Sequence, residues 1–413
     1  MKIAFISYEY PLDTAIGGIA TYTYQAAVLM QRRGHQVEVF SGSPHRSECI
    51  NNNGLIVHLV RSESRSNFSE RVVPAFVDRH HKLGFDVMES PEIGAESFHV
   101  TDAVPDIPLV VKLHTPSFLL NAINRTPLTL KMKLRRVIGA LRRGKLPTPF
   151  PKTVYDFSQD REYIQTNKAD LVSAPSKSLC NKLLATWHLD PDKVRVLPYP
   201  YLPGAELLQI PIESQFQCIT FIGRLEVRKG ILDLADAIPV VLKKHPEVLF
   251  RFVGSAWPSP VPEMNMQQYL LKRLRRYRDN LEFSGAVTPE QIPKFLAKTD
   301  ICVFPSRWEN FPNVCLEAMS AGRGIVGSSA GGMTEMLDNG KAGLLIPPRS
   351  PCAIAEATLK MLDNPKLRMH LGKRARARIL DDYSTDRIGR LQEEGYSQAI
   401  KSFHRQKESH SVI

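Results

Sequence analysis

The stretch CITFIGRLEVRKGILDL, residues 218–234, decides the fold. The apolar and β-branched run Cys218–Ile222 reads as a short buried strand, a loop with Gly223 follows, and from about Gly230 the apolar spacing turns helical. Upstream the same series has already run once: KIAFIS, a helix over about residues 19–33, then QVEVFS, LIVHLV, DVMES and PLVVKLH. Downstream it repeats through VLFRFVG, LEFSG, DICVFPS, GIVGSS and AGLLIPP. Strands alternating with helices predict a parallel sheet covered on both faces, and the restart predicts two doubly wound α/β domains. Between the two series VLPYPYLPGAE carries Pro198, Pro200 and Pro203, which continue neither a helix nor a central strand. The boundary is therefore placed near residue 204, giving domains over 1–203 and 204–385, a helix over 386–403 and a loose polar tail over 404–413. Two such sheets facing each other bring their carboxyl ends to one cleft, where open sheets bind ligands.

With 413 residues, 43% hydrophobic and 23% charged, the chain can bury two substantial cores. Its six cysteines are scattered, with no CxxC and no Cys/His cluster at metal-ligand spacing, and read as reduced thiols. MKIAFISYEYP is too short in apolar residues for a secretory segment, and no later run supplies the 18 or more apolar residues of a membrane span. A cytoplasmic protein, peripheral to a membrane at most, is the expectation. The formal charge of +12 points to an anionic partner. Arg125, Lys131, Lys133, Arg135, Arg136, Arg142, Arg143 and Lys145 follow one another without an intervening acid, and Leu130, Leu134, Val137, Ile138 and Leu141 recur among them at helical spacing. That pattern suits an interfacial helix on an anionic membrane, or simply a solvated basic face. The segment has no aromatic residues for base stacking, which argues against nucleic acid.

Chemistry-bearing residues cluster where strands end. Gly17 and Gly18 precede the first helix, where paired glycines let a ligand approach the backbone and the helix N-terminus attracts an anion; a tight turn explains them as well. Arg224 and Lys229 flank the loop after Cys218–Ile222, one a planar fork and the other a point charge, a pair suited to a diphosphate. His114 closes an apolar strand before Thr115 and Pro116 stop it. In RWENFPNVCLEAMSAG, Asn310 or Phe311 is expected to cap a helix that Pro312 starts and Gly322 ends. Glu309 would then precede the helix and Glu317 lie inside it, two depths along one elongated ligand. Gly331, Gly332 and Glu335 mark one more strand-to-helix loop, open to a ligand or to plain turn chemistry.

Taken together, GGIATYTYQAAVLMQRRGHQVEVF, GRLEVRKG, VFPSRWENFPNVCLEAMSAG and GGMTEMLDNGKAGLLIPP resemble the GT-B glycosyltransferases of family 4, in family order and at family distances. The resemblance implies two Rossmann-like domains with a C-terminal helix returning to the first, and a retaining transfer of a hexose-type sugar from a nucleoside-diphosphate sugar. UDP is favoured over GDP by its frequency in the family. It implies that Arg224 and Lys229 hold the donor diphosphate and that Glu317 takes the ribose hydroxyls. Glu309 would sit at the donor sugar, with backbone N–H groups of Asn310, Phe311, Asn313 and Val314 nearby. His114 would lie near the sugar hydroxymethyl, and Gly17 and Gly18 beside the donor phosphate. No cofactor and no metal are expected, since two cations and helix N-termini can neutralise the leaving nucleotide. The acceptor, of cell-envelope, exopolysaccharide or glycolipid type, would be a saccharide or a lipid-linked one, met by the basic patch Arg135, Arg136, Arg142 and Arg143.

The chain departs from the family in having Gly324 where proline is usual, and Glu226 and Arg228 add charge beside the clamp. A GT-B-shaped nucleotide-sugar epimerase is the alternative enzyme, and a basic nucleic-acid- or membrane-binding protein the alternative outside enzymes. A nicotinamide oxidoreductase lacks its GxGxxG and its ribose-binding acid. Sugar, acceptor, linkage and oligomeric state are not written in these motifs.

Overall fold

A computed structural model describes residues 1–14, 17–124, 138–139 and 155–411. The basic patch Arg135, Arg136, Arg142 and Arg143 lies outside the described residues. Two sheets form the two lobes. The first contains β1 (Lys2–Ser7), β2 (Gln36–Ser43), β3 (Glu48–Asn52), β4 (Leu55–Arg61), β5 (Val87–Pro91), β6 (Leu109–Lys112), β7 (Leu171–Ala174) and β8 (Val194–Val196), in the order β3-β4-β2-β1-β5-β6-β7-β8. Only β3 runs antiparallel, against β4. The second contains β9 (Cys218–Ile222), β10 (Leu249–Val253), β11 (Leu281–Gly285), β12 (Ile301–Phe304), β13 (Gly324–Ser328) and β14 (Leu344–Ile346), in the order β11-β10-β9-β12-β13-β14 and wholly parallel.

The central strands β1, β9 and β12 are apolar nearly throughout because helices cover both faces and leave no solvent side for alternation to serve. The first helix, Gly18–Arg32, buries Ile19, Tyr22, Thr23, Ala26, Ala27 and Met30, a stripe at three- and four-residue spacing. It stops where Gly34 takes a φ of +87°, open to glycine at no steric cost. Three short strands, β3, β7 and β8, escape the sequence reading: β3 is a polar edge, and the other two are only four and three residues long.

Both sheets reverse their strand order at one point, between β1 and β5 in the first and between β9 and β12 in the second. Loops leaving neighbouring strands there diverge to opposite faces and open a crevice at the carboxyl edge. The loops after β1, β9 and β12 therefore meet at one cleft, although they are far apart in the chain.

The last helix, Thr385–Ser411, leaves the second lobe and packs on β5, β6 and β7 of the first. It continues through the polar segment expected to be a loose tail from residue 404, so that expectation is corrected. A buried polar knot holds it. Glu89 on β5 accepts from the Tyr22 and Tyr396 hydroxyls, the latter at 2.8 Å, with Gln392 Nε2 at 3.5 Å. Lys112 on β6 donates to Ser173 Oγ at 2.9 Å and to the Leu197 carbonyl at 2.7 Å, between the rings of Tyr22 and Tyr199. Burial pulls the Lys112 ammonium down to about 7, and the Glu89 carboxylate opposes it. In the third turn of the last helix Glu393 takes the Arg33 fork on both carboxylate oxygens, at 2.8 and 2.9 Å. Among the described residues no helix is long and apolar enough to cross a membrane.

Removing Glu89 alone strips the buried Tyr22 and Tyr396 hydroxyls of their acceptor and takes away the group that opposes the fall of the Lys112 ammonium. Glu89→Ala is expected to lower urea-unfolding stability at pH 7 by about 3–5 kcal/mol, and Glu89→Leu combined with Lys112→Met to recover most of it. Equal losses in the single and double variants would show that the pair is not the source of the anchoring.

Candidate active site

The cleft between the lobes has a volume of about 680 Å³. Gly17, Gly18, His114, Arg224, Lys229, Glu309, Asn310, Phe311, Asn313, Val314 and Glu317 all line it. A second groove of about 660 Å³, between Asp190–Lys193 and the last helix, contains none of them.

The loop after β9 supplies the cations. Gly230, at φ +73°, ends a turn of 3₁₀ helix and begins the helix Ile231–Lys244, and a Cβ there would collide with the Pro305 carbonyl of the β12 loop. That close approach sets the two loops side by side. Lys229 Nζ pairs with Glu309 Oε1, and Arg228 Nη1 approaches the same oxygen at 3.5 Å. Arg224 is held by Glu226 at 3.2 Å and by the face of Trp257, its guanidinium 4.5 Å from the ring centroid. Burial alone would raise the Glu309 carboxyl, but the Lys229 and Arg228 charges outweigh it and hold the group below the ordinary carboxylate value.

Glu309 is 9% exposed, and its backbone is clamped from the other side. Its N–H donates to the Ala330 carbonyl at 3.2 Å, and its carbonyl accepts from Gly332 N at 2.8 Å. A Cβ on Gly331 would strike the Glu309 carbonyl, and one on Gly332 the Asn310 carbonyl. The glycine pair thus admits the protein's own backbone. The capping expectation is corrected too: the helix is Asn313–Ser320, its N-cap is Pro312 with no side-chain cap bond, and neither Asn310 nor Phe311 caps it. Gly322, at φ +62°, does follow its end. Glu317, inside this helix, has a buried Oε2 without a partner, and burial pushes its carboxyl up to about 8.

Asn310 is spent on joining the lobes. Its Nδ2 donates to the His114 carbonyl, and Ser176 Oγ donates to its Oδ1 at 2.9 Å. Next to it Glu335 of the second lobe accepts from the backbone N–H groups of Lys177 and Ser178, at 2.9 Å each. These are the free first-turn donors of the helix Lys177–Trp187, so a carboxylate from one lobe satisfies a helix end of the other.

Across the cleft, the His114 backbone N–H donates to both oxygens of Glu92, at 2.9 and 2.8 Å, and Nδ1 of its ring meets the Tyr199 hydroxyl at 2.7 Å. Nε2 is buried with no partner. Burial, reinforced by Lys112 and Arg65, holds this imidazole well below its ordinary value, so it is neutral at pH 7. Gly17 has an extended φ of −165° that any residue adopts, and a Cβ on Gly18 would meet nothing within 4 Å. The protein does not itself require glycine at Gly18, and the uncapped helix N-terminus there faces open cleft.

Sequence reasoning missed Trp257, Tyr199 and Ser176 and left Arg228 undecided. Trp257 follows β10 in a Gly-Ser-Pro loop, and Tyr199 sits in the proline-rich connection between the sheets. Their signal is position at a sheet's carboxyl edge, visible only once strand order is known.

In chemical terms the described residues of the cleft present three cations beside one paired carboxylate, with an unpaired carboxyl and a neutral imidazole facing the same space. The sequence model of Glycosyl transferases group 1 matches residues 208–378, and that of Glycosyltransferase Family 4 matches residues 16–200. An uncharacterised glycosyltransferase of Methanocaldococcus jannaschii is 28% identical over 94% of this chain and 96% of its own. A D-inositol 3-phosphate glycosyltransferase of Acidothermus cellulolyticus is 25% identical over 90% of this chain and 84% of its own. In fold, the chain is similar to sucrose-phosphate synthase from Thermosynechococcus elongatus, with a TM-score of 0.71 at 19% identity over 97% of this chain and 100% of that one. It is also similar to Anabaena HepE in complex with UDP and glucose, with a TM-score of 0.66 at 18% identity over 96% and 99%.

Glu335→Ala should leave the helix Lys177–Trp187 uncapped from across the cleft, a loss of about 1 kcal/mol. The expected result is a larger radius of gyration by small-angle scattering with little change in secondary structure. An unchanged radius means that this contact does not hold the lobes together.

Proposed function

The chain belongs to the glycosyltransferases of GT-B fold and family 4 type, and from that premise we propose that it is a retaining enzyme moving a hexose-type sugar from a nucleoside-diphosphate sugar to an acceptor of cell-envelope, exopolysaccharide or glycolipid type. The observation that carries the donor class is the convergence of Arg224 and Lys229 on one end of a cleft whose other wall is the open N-terminus of the helix Gly18–Arg32. A diphosphate between them meets fixed positive charge from both lobes, where it needs no reorganisation.

The remaining groups fall into order along such a ligand. Glu317, buried and unpartnered at Oε2, would accept from the ribose hydroxyls. Glu309, held as a carboxylate, would stabilise positive charge growing at the sugar carbon, and neutral His114 would bond the hydroxymethyl through Nε2. The C1–oxygen bond to the diphosphate breaks as the acceptor oxygen bonds C1 on the same face. The acceptor proton passes to the departing diphosphate oxygen, so no group of the chain has to gain or lose it. UDP is the favoured carrier, supported by the UDP and UDP-glucose complexes of the HepE relative. Arg224 and Lys229 supply the counter-charge that a divalent ion supplies elsewhere, which supports a metal-independent reaction.

For the acceptor we place the chain at an anionic membrane surface. Leu120, which lines the cleft, belongs to the helix Ser117–Asn124, and that helix leads in sequence directly into the basic run from residue 125.

Two measurements test this reading. In EDTA, UDP at about 100 times its dissociation constant should stabilise the protein by about 2.7 kcal/mol, and added magnesium should not be required. Arg224→Ala and Lys229→Ala should abolish the shift. Glu309→Ala should retain it while losing roughly 10²–10⁴ in turnover of UDP-sugar. Absence of a shift with any nucleoside diphosphate sinks the donor assignment. Separately, replacing Arg135, Arg136, Arg142 and Arg143 by serine should weaken binding to phosphatidylglycerol vesicles, at about 1 kcal/mol per basic residue near the surface. Unchanged binding would remove the membrane from the account.

A further inference from the structure

We propose that Arg228 is a positioning residue for the transfer, the counter-charge that stays with Glu309 when the donor diphosphate engages Lys229. The inference rests on the donor reading above and concerns a residue that the Arg224–Lys229 clamp leaves without a role.

The geometry separates the two cations beside Glu309. Lys229 offers a flexible stem and a point charge, and its ammonium, placed on Glu309 in the free protein, must share its donors with an arriving diphosphate. Arg228 is fixed by contacts within the protein. Its Nη2 donates to Glu226 Oε1 at 2.9 Å, and its Nη1 lies 3.5 Å from Glu309 Oε1. The two ends of one planar guanidinium therefore span two carboxylates. Its backbone carbonyl accepts from Arg307 N at 2.8 Å, tying its loop to the Glu309 loop.

Glu226 works from behind. It is not part of the cleft wall, whereas Arg224 and Arg228 are. One oxygen, Oε1, holds both guanidinium groups, at 3.2 and 2.9 Å. The acid thus aims two arginines into the cleft, one toward the phosphate end and the other toward Glu309.

Among the described residues, the other groups facing Glu309 cannot replace this charge. His114 across the cleft is neutral at pH 7. Glu317, on the helix that follows, is an acid. Glu335, beyond the glycine pair, is committed to the helix Lys177–Trp187. Ser306, in the loop that carries Glu309, contributes only a hydroxyl, and the charge of Arg307 is set against Asp233. With Lys229 drawn toward phosphate and no Arg228, a carboxyl that is 9% exposed would favour its proton, and a protonated Glu309 gives no support to a cationic sugar.

The test uses the full-length protein and two readouts. The first is titration of Glu309 by ¹³C NMR on carboxyl-labelled glutamate, assigned with Glu309→Gln and run on the wild type, Lys229→Met, Arg228→Gln and the double variant. Glu309 should still titrate below an ordinary carboxyl in Lys229→Met, which imitates withdrawal of the lysine, and move upward when Arg228→Gln is added. Coincident curves with and without Arg228 overturn the proposal. The second is the pH profile of UDP-glucose turnover. Arg228→Gln should lower kcat by about 10²-fold, as misplacement of a reacting group does, and move the acid limb to higher pH. Arg228→Lys should recover part of both, and UDP should bind with unchanged Kd. An equal loss of UDP affinity would make Arg228 a phosphate ligand and would also overturn the proposal. If the wild type neither binds UDP nor turns over UDP-glucose, the donor reading falls, and the NMR titration still decides on Arg228.

Discussion

A carboxylate removed from water needs counter-charge, and the arrangement of this cleft follows from satisfying that need at Glu309. Lys229 and Arg228 arrive from the loop after β9, while Glu309 belongs to the loop after β12. Those strands are neighbours because the second sheet reverses its order between them. The ion cluster is thus a product of topology: residues 80 positions apart in the chain meet because their strands lie side by side. The Gly331–Gly332 turn completes the enclosure by letting the Glu309 backbone lie against it without side chains between. The acid is held through its backbone as well as through its charge.

The same economy joins the lobes. Asn310 follows Glu309 directly, and its amide reaches the His114 carbonyl and the Ser176 hydroxyl of the opposite lobe. Placement of the acid at one wall and of the imidazole at the other therefore runs through a single amide. Glu335 adds a carboxylate to a helix N-terminus across the same boundary. Both contacts are polar, and beside them Trp308 packs against the core of the first lobe and Phe311 meets the Tyr199 ring.

His114 is positioned from beneath by the knot that anchors the last helix. Lys112, two residues earlier in the chain, lies between the rings of Tyr22 and Tyr199, and Tyr199 also bonds His114 Nδ1. Glu89 links Tyr22 to Tyr396 and Gln392 of the last helix. The chain's final element, which starts from the second lobe, is thereby tied to the imidazole of the first through one connected set of buried hydrogen bonds and ring contacts. Such sets specify one arrangement because any group left unpaired in them is costly.

Much of this protein was legible in its residues. Most apolar strands of both sheets, the first helix, the restart at Cys218 and cleft residues such as Arg224, Lys229, Glu309 and Glu317 could be read from alternation, from glycine and proline placement and from charge at strand ends, because these depend on local spacing. What local spacing does not encode was missed: the short strands β7 and β8, the polar edge β3, and the continuation of the last helix through residues expected to be loose. Partnership was the larger omission. Asn310 or Phe311 was expected to cap a helix and Asn310 is a link between lobes, the Gly331–Gly332 pair was open to a ligand or to plain turn chemistry and admits backbone, and Trp257 and Tyr199 carried no signal short of strand order. The sequence by itself determined which residues stand at strand ends, since hydrophobic periodicity is a property of neighbours in the chain. Which of those residues face one another, and so which charge Glu309 keeps, was decided only by the tertiary structure, because strand order and lobe packing bring together groups that no sequence distance relates.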